Sequence, residues 1–164
     1  MNAAFYREFE ERYYASREVI KALRMQYLQF VRPIADLYPG TPVFDAGCGR
    51  GEWLELMGDL GLSPFGVDLD EGMLSDCFEL DLPAIKGDAV NYIATLPSSS
   101  QAVVSAFHVV EHISFEQLQT LVVEALRVLK PGGLLIMETP NPENIVVATC
   151  NFYLDPTHQR PIPP

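Results

Sequence analysis

Apolar residues recur at three- and four-residue intervals through the first part of the chain, at Phe5, Phe9, Tyr13, Val19, Ile20, Leu23, Tyr27, Phe30 and Val31. That spacing places them on one helical face, so residues 3–37 are expected to form one or two amphipathic helices, interrupted at Pro33. Beyond residue 40 the pattern changes. Short β-rich runs at 42–46, 64–68, 83–87, 101–107 and 132–139 alternate with helical stretches at 51–60, 71–78, 89–95 and 115–129. Strands separated by helix-length segments predict an α/β fold, a parallel sheet with right-handed crossover helices. An N-terminal helical segment (1–40) thus precedes a core (41–164). Ligands of open parallel sheets lie beyond the C-terminal strand ends, where Asp45, Asp68, Asp88 and His108 are all expected to arrive.

The first of these strand ends carries the most information. In Val43-Phe-Asp45-Ala-Gly47-Cys48-Gly49-Arg50-Gly51 an apolar run ends in an acid and alternating glycines, and a helical pattern follows. Glycine permits positive φ and close approach of a ligand to the main chain, while a helix start offers N–H groups unpaired within the helix. A nucleotide-like cofactor suits such a turn. The spacing is neither the dinucleotide fingerprint, whose third glycine falls one residue later, nor a phosphate loop ending Gly-Lys-Ser/Thr. A turn without Lys argues against a polyphosphate ligand.

Asp45-x-Gly47-x-Gly49-x-Gly51 resembles the first motif of class I S-adenosylmethionine (SAM)-dependent methyltransferases, and further landmarks follow in that family's order. Gly66-Val67-Asp68 resembles the end of the second strand, with Asp68 lying 17 residues past Gly51. Gly87-Asp88-Ala89 resembles the end of the third strand, Val103 to His112 the fourth strand and its loop, and Leu129-Lys-Pro-Gly-Gly133 with 134–138 the last turn and fifth strand. The resemblance implies a Rossmann-like, mostly parallel sheet binding SAM. Its implied cofactor set is Asp45, Gly47, Cys48, Gly49 and Gly51 around the turn, Asp68 and Leu69 at the ribose, Asp88 and Ala89 at the adenine, and His108. Arg17 or Arg50 would pair the methionine carboxylate, with Phe5, Tyr6, Tyr13 and Tyr14 as a lid. Read singly, Asp68, Asp70 and Asp88 serve equally well as helix caps. Trp53 and Phe65 read as core, and Met73 as core or adenine neighbour. The family's further helix and antiparallel strands have no counterpart before Pro164, so the sheet is expected to stop after its fifth strand, as in a fragment or a homodimer.

His108-x-x-Glu111-His112 resembles the Glu-x-x-Glu-His segment of metal-using O-methyltransferases that act on quinone precursors and on small-RNA ribose ends. In the latter a Thr-Pro-Asn segment leads to a further histidine ligand, as Thr139-Pro140-Asn141 leads here to His158. The resemblance implies Glu111, His112 and His158 as the catalytic group and as ligands of a divalent ion, Mg²⁺ or Mn²⁺; His108 replaces the first Glu and alters the charge. Such an ion lowers the pKa of an acceptor hydroxyl and orients its oxygen. Without one, His112 would act as general base. A purely structural alternative has Glu111-His112 capping a helix that opens near Ser114. Asp155 reads either as a partner orienting His158 or as the start of a turn before Pro156.

Composition narrows the partners. The 164 residues, 48% hydrophobic and 20% charged, fit one globular domain. A net charge of −11 disfavours nucleic acid held through phosphates, leaving a local basic face of Arg17, Lys21 and Arg24. Three cysteines without a C-x-x-C pair suggest no disulfide framework and fit a reducing cytoplasm. There is no signal-peptide pattern and no run of roughly 18 apolar residues that would span a membrane. Longer strings, Gly-Cys-Gly-Arg-Gly-Glu-Trp-Leu-Glu-Leu, Gly-Val-Asp-Leu-Asp, and Thr-Pro-Asn-Pro-Glu-Asn through Asp-Pro-Thr-His-Gln-Arg-Pro, resemble methyltransferase domains of bacterial surface-polysaccharide clusters, lipopolysaccharide O-antigen systems among them. That resemblance implies a sugar-hydroxyl acceptor and fusion to, or association with, glycosyltransferases, the chain working in the cytoplasm at the inner face of the membrane through partners. Two alternatives stand beside it: a quinone-like or other small-molecule hydroxyl, and a non-catalytic SAM-binding domain of a larger glycan assembly protein.

Overall fold

In the computed structural model, which describes residues 15–163, five strands run parallel: β1 (Pro42–Ala46), β2 (Ser63–Asp68), β3 (Ala84–Lys86), β4 (Gln101–Phe107) and β5 (Leu129–Glu138), in the order β3-β2-β1-β4-β5. The helices are α1 (Arg17–Arg24), α2 (Leu28–Leu37) after a 3₁₀ turn at Met25–Tyr27, α3 (Glu52–Asp59), α4 (Glu71–Glu79), α5 (Ala89–Ile93), α6 (Phe115–Val128) and α7 (Ile145–Thr149), followed by a second 3₁₀ turn at Asn151–Leu154. The expected lid residues Phe5, Tyr6, Tyr13 and Tyr14 lie outside the described residues.

Every residue of β4 is buried, as a strand covered on both faces requires. Side chains alternate between two layers. Val43 and Val103 point to a core with Leu28, Val31 and Ala35 of α2 and Trp53, Leu56 and Met57 of α3. Phe44, Ala46, Val104 and Ala106 point to the opposite core with Val90 and Ile93 of α5 and Leu121, Ala125 and Val128 of α6. The strand order reverses at β1, so the crevice for a ligand opens beyond the C-terminal ends of β1 and β4. No helix among the described residues is long and apolar enough to cross a membrane.

Two expectations are corrected. Pro33 lies inside α2 rather than interrupting it. Its ring removes the N–H that would bond the Gln29 carbonyl, but Gln29 is exposed, and burial of Leu28, Val31 and Ala35 holds the helix together. The fifth strand begins at Leu129 rather than 132, because Leu129 already pairs with Gln101. The expected Lys-Pro-Gly-Gly turn survives as an irregularity within the strand, with Gly132 at φ +77°.

Candidate active site

The glycine turn follows β1 directly. Gly47 has φ +68°, and a Cβ there would lie 2.3 Å from Val109 Cγ2 in the loop after β4, so both conformation and space demand glycine. At Gly66 on β2 a Cβ would lie 2.5 Å from Cys48 Sγ, so this glycine admits the Cys48 side chain beneath the turn. Gly47 and Cys48 donate to the Val67 carbonyl, Gly49 donates to Asp68 Oδ2 at 2.8 Å, and Gly51 donates to the Cys48 carbonyl. Four amides of the turn are thus engaged within the protein.

Asp68 at the end of β2 also accepts from the Asp70 amide, and burial pushes its carboxyl above the ordinary range against those hydrogen bonds. Asp88 and Asp70 act as N-caps: Asp88 Oδ1 accepts from Val90 and Asn91, and Asp70 Oδ1 from Gly72 and Met73. Leu69 is exposed and Ala89 opens α5. Arg17 places Nε and Nη2 on Glu55 and Nη1 on the Arg50 carbonyl. Arg50 donates to the Ala15 carbonyl and pairs with Glu52. Both expected partners of a methionine carboxylate are thus engaged within the protein.

A third arginine, unremarked in the sequence beyond its charge, is better placed. Arg24 is 8% exposed, lies 4.5 Å over the Phe107 ring, and leaves Nη1 buried without a partner. Phe107 also touches Tyr27 and Trp53, whose Nε1 is likewise buried and unpartnered. Arg24 is close enough to lower the pKa of Asp45, whose Oδ1 accepts from Ser105 at 2.7 Å and whose Oδ2 is buried without a partner. Burial pushes the Asp45 carboxyl up to about 7 in spite of Arg24 and Ser105. Arg24 Nη1, Trp53 Nε1 and Asp45 Oδ2 are thus two donors and one acceptor buried without partners on α1, α3 and β1.

Beyond β4, His108 adopts φ +55°, and its ring bridges two carboxylates: Nδ1 to Glu111 Oε1 at 3.3 Å and Nε2 to Glu138 Oε1 at 3.1 Å. Hydrogen bonds to both raise its pKa to about 9, so the ring is an imidazolium at neutral pH. Glu138 also accepts from the Tyr27 hydroxyl. Glu111 is fully buried, and its Oε2 has no partner. Burial pushes the Glu111 carboxyl up, but His108, its own backbone amide and His112 outweigh that, and it stays ionised below the ordinary range. His108 thus meets carboxylates on both sides, a role the expected cofactor contact did not anticipate.

The structure brings Glu111, His112 and His158 together: one possible ligand atom from each lies within 4.8 Å of the others. The two imidazole rings meet edge to face at 4.7 Å. His158 Nδ1 faces the Phe152 carbonyl at 2.6 Å and must donate to it, which leaves Nε2 with its lone pair. Burial holds the His112 pKa below its ordinary value, so that ring is neutral. The capping alternative is set aside, because Ser114 and Gln117 form their own capping box on α6. An ionised carboxylate with a bare oxygen and two imidazoles form a donor set that fits a divalent cation. Besides Arg24, two features escaped the sequence: the Tyr27–Glu138–His108 chain, for which no local signal exists, and the Asp45–Ser105 bond, which the parallel register of β1 and β4 creates.

A family model described as a methyltransferase domain matches residues 44–137, more than half of the chain. A probable S-adenosylmethionine-dependent methyltransferase of Mycolicibacterium smegmatis is 36% identical over 103 residues, covering 62% of this chain. The mitochondrial ubiquinone biosynthesis O-methyltransferase of Homo sapiens is 28% identical over 154 residues, covering 85% of it. The chain spans 39% and 41% of the lengths of these two relatives. A crystal structure of a SAM-dependent methyltransferase from Archaeoglobus fulgidus superposes with a TM-score of 0.85 at 36% identity, over 98% of this chain and 69% of that one. Because the matched model runs from β1 into β5 and the archaeal structure follows the same path over nearly the whole chain, this chain belongs to the class I SAM-dependent methyltransferase family.

Proposed function

We propose that the domain catalyses SAM-dependent O-methylation, with Arg24 and Asp45 holding the methionine end of SAM and Glu111, His112 and His158 activating the acceptor hydroxyl. The observation that carries this reading is the convergence of a bare Glu111 oxygen and two imidazoles just beyond the strand ends that flank the glycine turn. In the transfer the acceptor oxygen bonds the methyl carbon as the sulfur–methyl bond breaks, the sulfonium becomes a neutral thioether, and the hydroxyl proton passes to solvent. A divalent cation held by Glu111, His112 and His158 would lower the hydroxyl pKa and orient its oxygen. Two imidazole donors suit Mn²⁺ better than Mg²⁺, which prefers an all-oxygen octahedron.

The acceptor we favour is a sugar hydroxyl. An alkyl hydroxyl, with a pKa well above the roughly 10 of a phenol, is the acceptor that most needs such a group, and the motif strings shared with surface-polysaccharide methyltransferase domains point the same way. The likeness to a ubiquinone biosynthesis O-methyltransferase supports a second reading, a quinone-like phenol. S-adenosylhomocysteine release, measured against glycan and phenol acceptors, separates them. Activity is expected to fall at least 100-fold in His112→Ala and in excess EDTA, with Mn²⁺ restoring the latter. Wild-type turnover in His112→Ala would refute the assignment. Full activity in EDTA with loss in His112→Ala would leave His112 a general base without a cation.

A further inference from the structure

His112 and His158 must both present Nε2 if they are to act on one point with Glu111, yet an imidazole beside water exchanges freely between its two neutral tautomers. For His158 the Phe152 carbonyl decides the matter, since a carbonyl only accepts. His112 has no carbonyl at its Nδ1. It has the Thr157 hydroxyl at 2.8 Å, and a hydroxyl both donates and accepts.

Asp155 resolves that ambiguity. Its Oδ1 lies 2.6 Å from Thr157 Oγ1 and 2.8 Å from the Thr157 amide, and a carboxylate oxygen only accepts. The Thr157 hydroxyl proton therefore goes to Asp155, and the oxygen is left as an acceptor toward His112. We infer that Asp155 and Thr157 are positioning residues that fix His112 as the Nδ1–H tautomer and so turn its Nε2 lone pair toward Glu111 and His158. Asp155 read from the sequence either as a partner of His158 or as the start of a turn before Pro156; its Oδ1 closes that turn on the Thr157 amide and reaches His112 through Thr157 Oγ1, while its Oδ2 lies 3.9 Å from His158 Nε2.

The segment carrying these groups is fastened to the turn it serves. The Gln159 amide donates to the Glu111 carbonyl at 2.8 Å and Gln159 Nε2 donates to the His112 carbonyl at 2.7 Å. These contacts join residues more than forty positions apart, so a turn around Pro156 would not need them for its own geometry. A carboxylate behind the hydroxyl also makes the imidazole a stronger donor, which is the usual effect of a polar group one bond removed from a ligand histidine. Hydrogen bonding thus sets the ring's rotation, tautomer and basicity from one side, and leaves the opposite side for the cluster.

The inference rests on the reading of Glu111, His112 and His158 as one cation-binding group, and the test separates the two. A long-range ¹H–¹⁵N correlation spectrum of the ¹⁵N-labelled, EDTA-treated protein at neutral pH reads the His112 tautomer directly. Wild type is expected to carry the proton on Nδ1; a proton on Nε2 would overturn the inference without any variant being made. Thr157→Val, which keeps the shape and removes the acceptor, is expected to lose that tautomer and to weaken Mn²⁺ binding, measured by calorimetry, by about 10- to 100-fold, with Thr157→Ser restoring both. A Thr157→Val protein that keeps the Nδ1–H tautomer and wild-type Mn²⁺ affinity would also overturn it. Wild type that shows the Nδ1–H tautomer but takes up no Mn²⁺ would sink the cation reading and uphold the positioning role.

Discussion

Several polar groups of the proposed site are buried without full partners, and their titration follows from that. Asp45 is protonated in the free protein below about pH 7, because burial penalises its charge. A native state that binds more protons than the unfolded chain loses stability as pH rises, here between the ordinary carboxylate range and about 7. An ammonium group delivered by SAM reverses that penalty, so SAM affinity is expected to rise between pH 6 and 8 with proton release. Calorimetry in buffers of differing ionisation heat detects the released proton, and Asp45→Asn should flatten the profile. His108 has the same sign in a higher pH window. Its two carboxylate bonds raise its pKa to about 9, so their contribution to stability is complete below its ordinary value of 6.5 and is lost as pH rises through 9. The side chain is half exposed, and solvent screening keeps that contribution modest. Urea denaturation of the EDTA-treated protein should show the decline, and His108→Gln should remove it.

At the level of elements, the glycine turn and the α6 cap make separable predictions. Gly47→Ala forces a positive φ on a residue with a Cβ and drives it into Val109. A cost of about 1–3 kcal/mol and a loss of SAM affinity beyond tenfold are expected, read by chemical denaturation and calorimetry. Ser114→Ala removes the capping box of α6 and should cost about 1 kcal/mol with SAM affinity unchanged. Much of this level was readable in advance. The alternation of strands and helices gave β1 and β4 at their observed bounds, because fully buried parallel strands are short apolar runs flanked by turn residues. Pro33 misled, since local propensity yields where buried neighbours hold a helix. Glu111, His112 and His158 were readable as a set from their motif order. The burial of Arg24 was not, because it depends on a helix packing over Phe107, and no spacing rule in one sequence reports that.

For the whole molecule, β5 ends the sheet, and among the described residues no strand pairs with its outer edge. On the helices that follow β4 and β5, Leu126, Ile145 and Val123 are 78%, 75% and 63% exposed. An open edge and exposed apolar side chains each favour association. Sedimentation of the chain over rising concentration is expected to show it, and Leu126→Lys to weaken it; a monomer at all concentrations would show the face is tolerated bare. The crevice over β1 and β4 nevertheless has its turn, acids and buried arginine within one described body, so cofactor binding should not require a partner. Calorimetric titration of SAM and of S-adenosylhomocysteine into the folded chain therefore decides most. Saturable binding with a Kd between about 1 μM and 1 mM, weakened at least tenfold by Arg24→Gln, is expected; no saturable heat from either compound at any temperature of measurement would contradict the cofactor site itself.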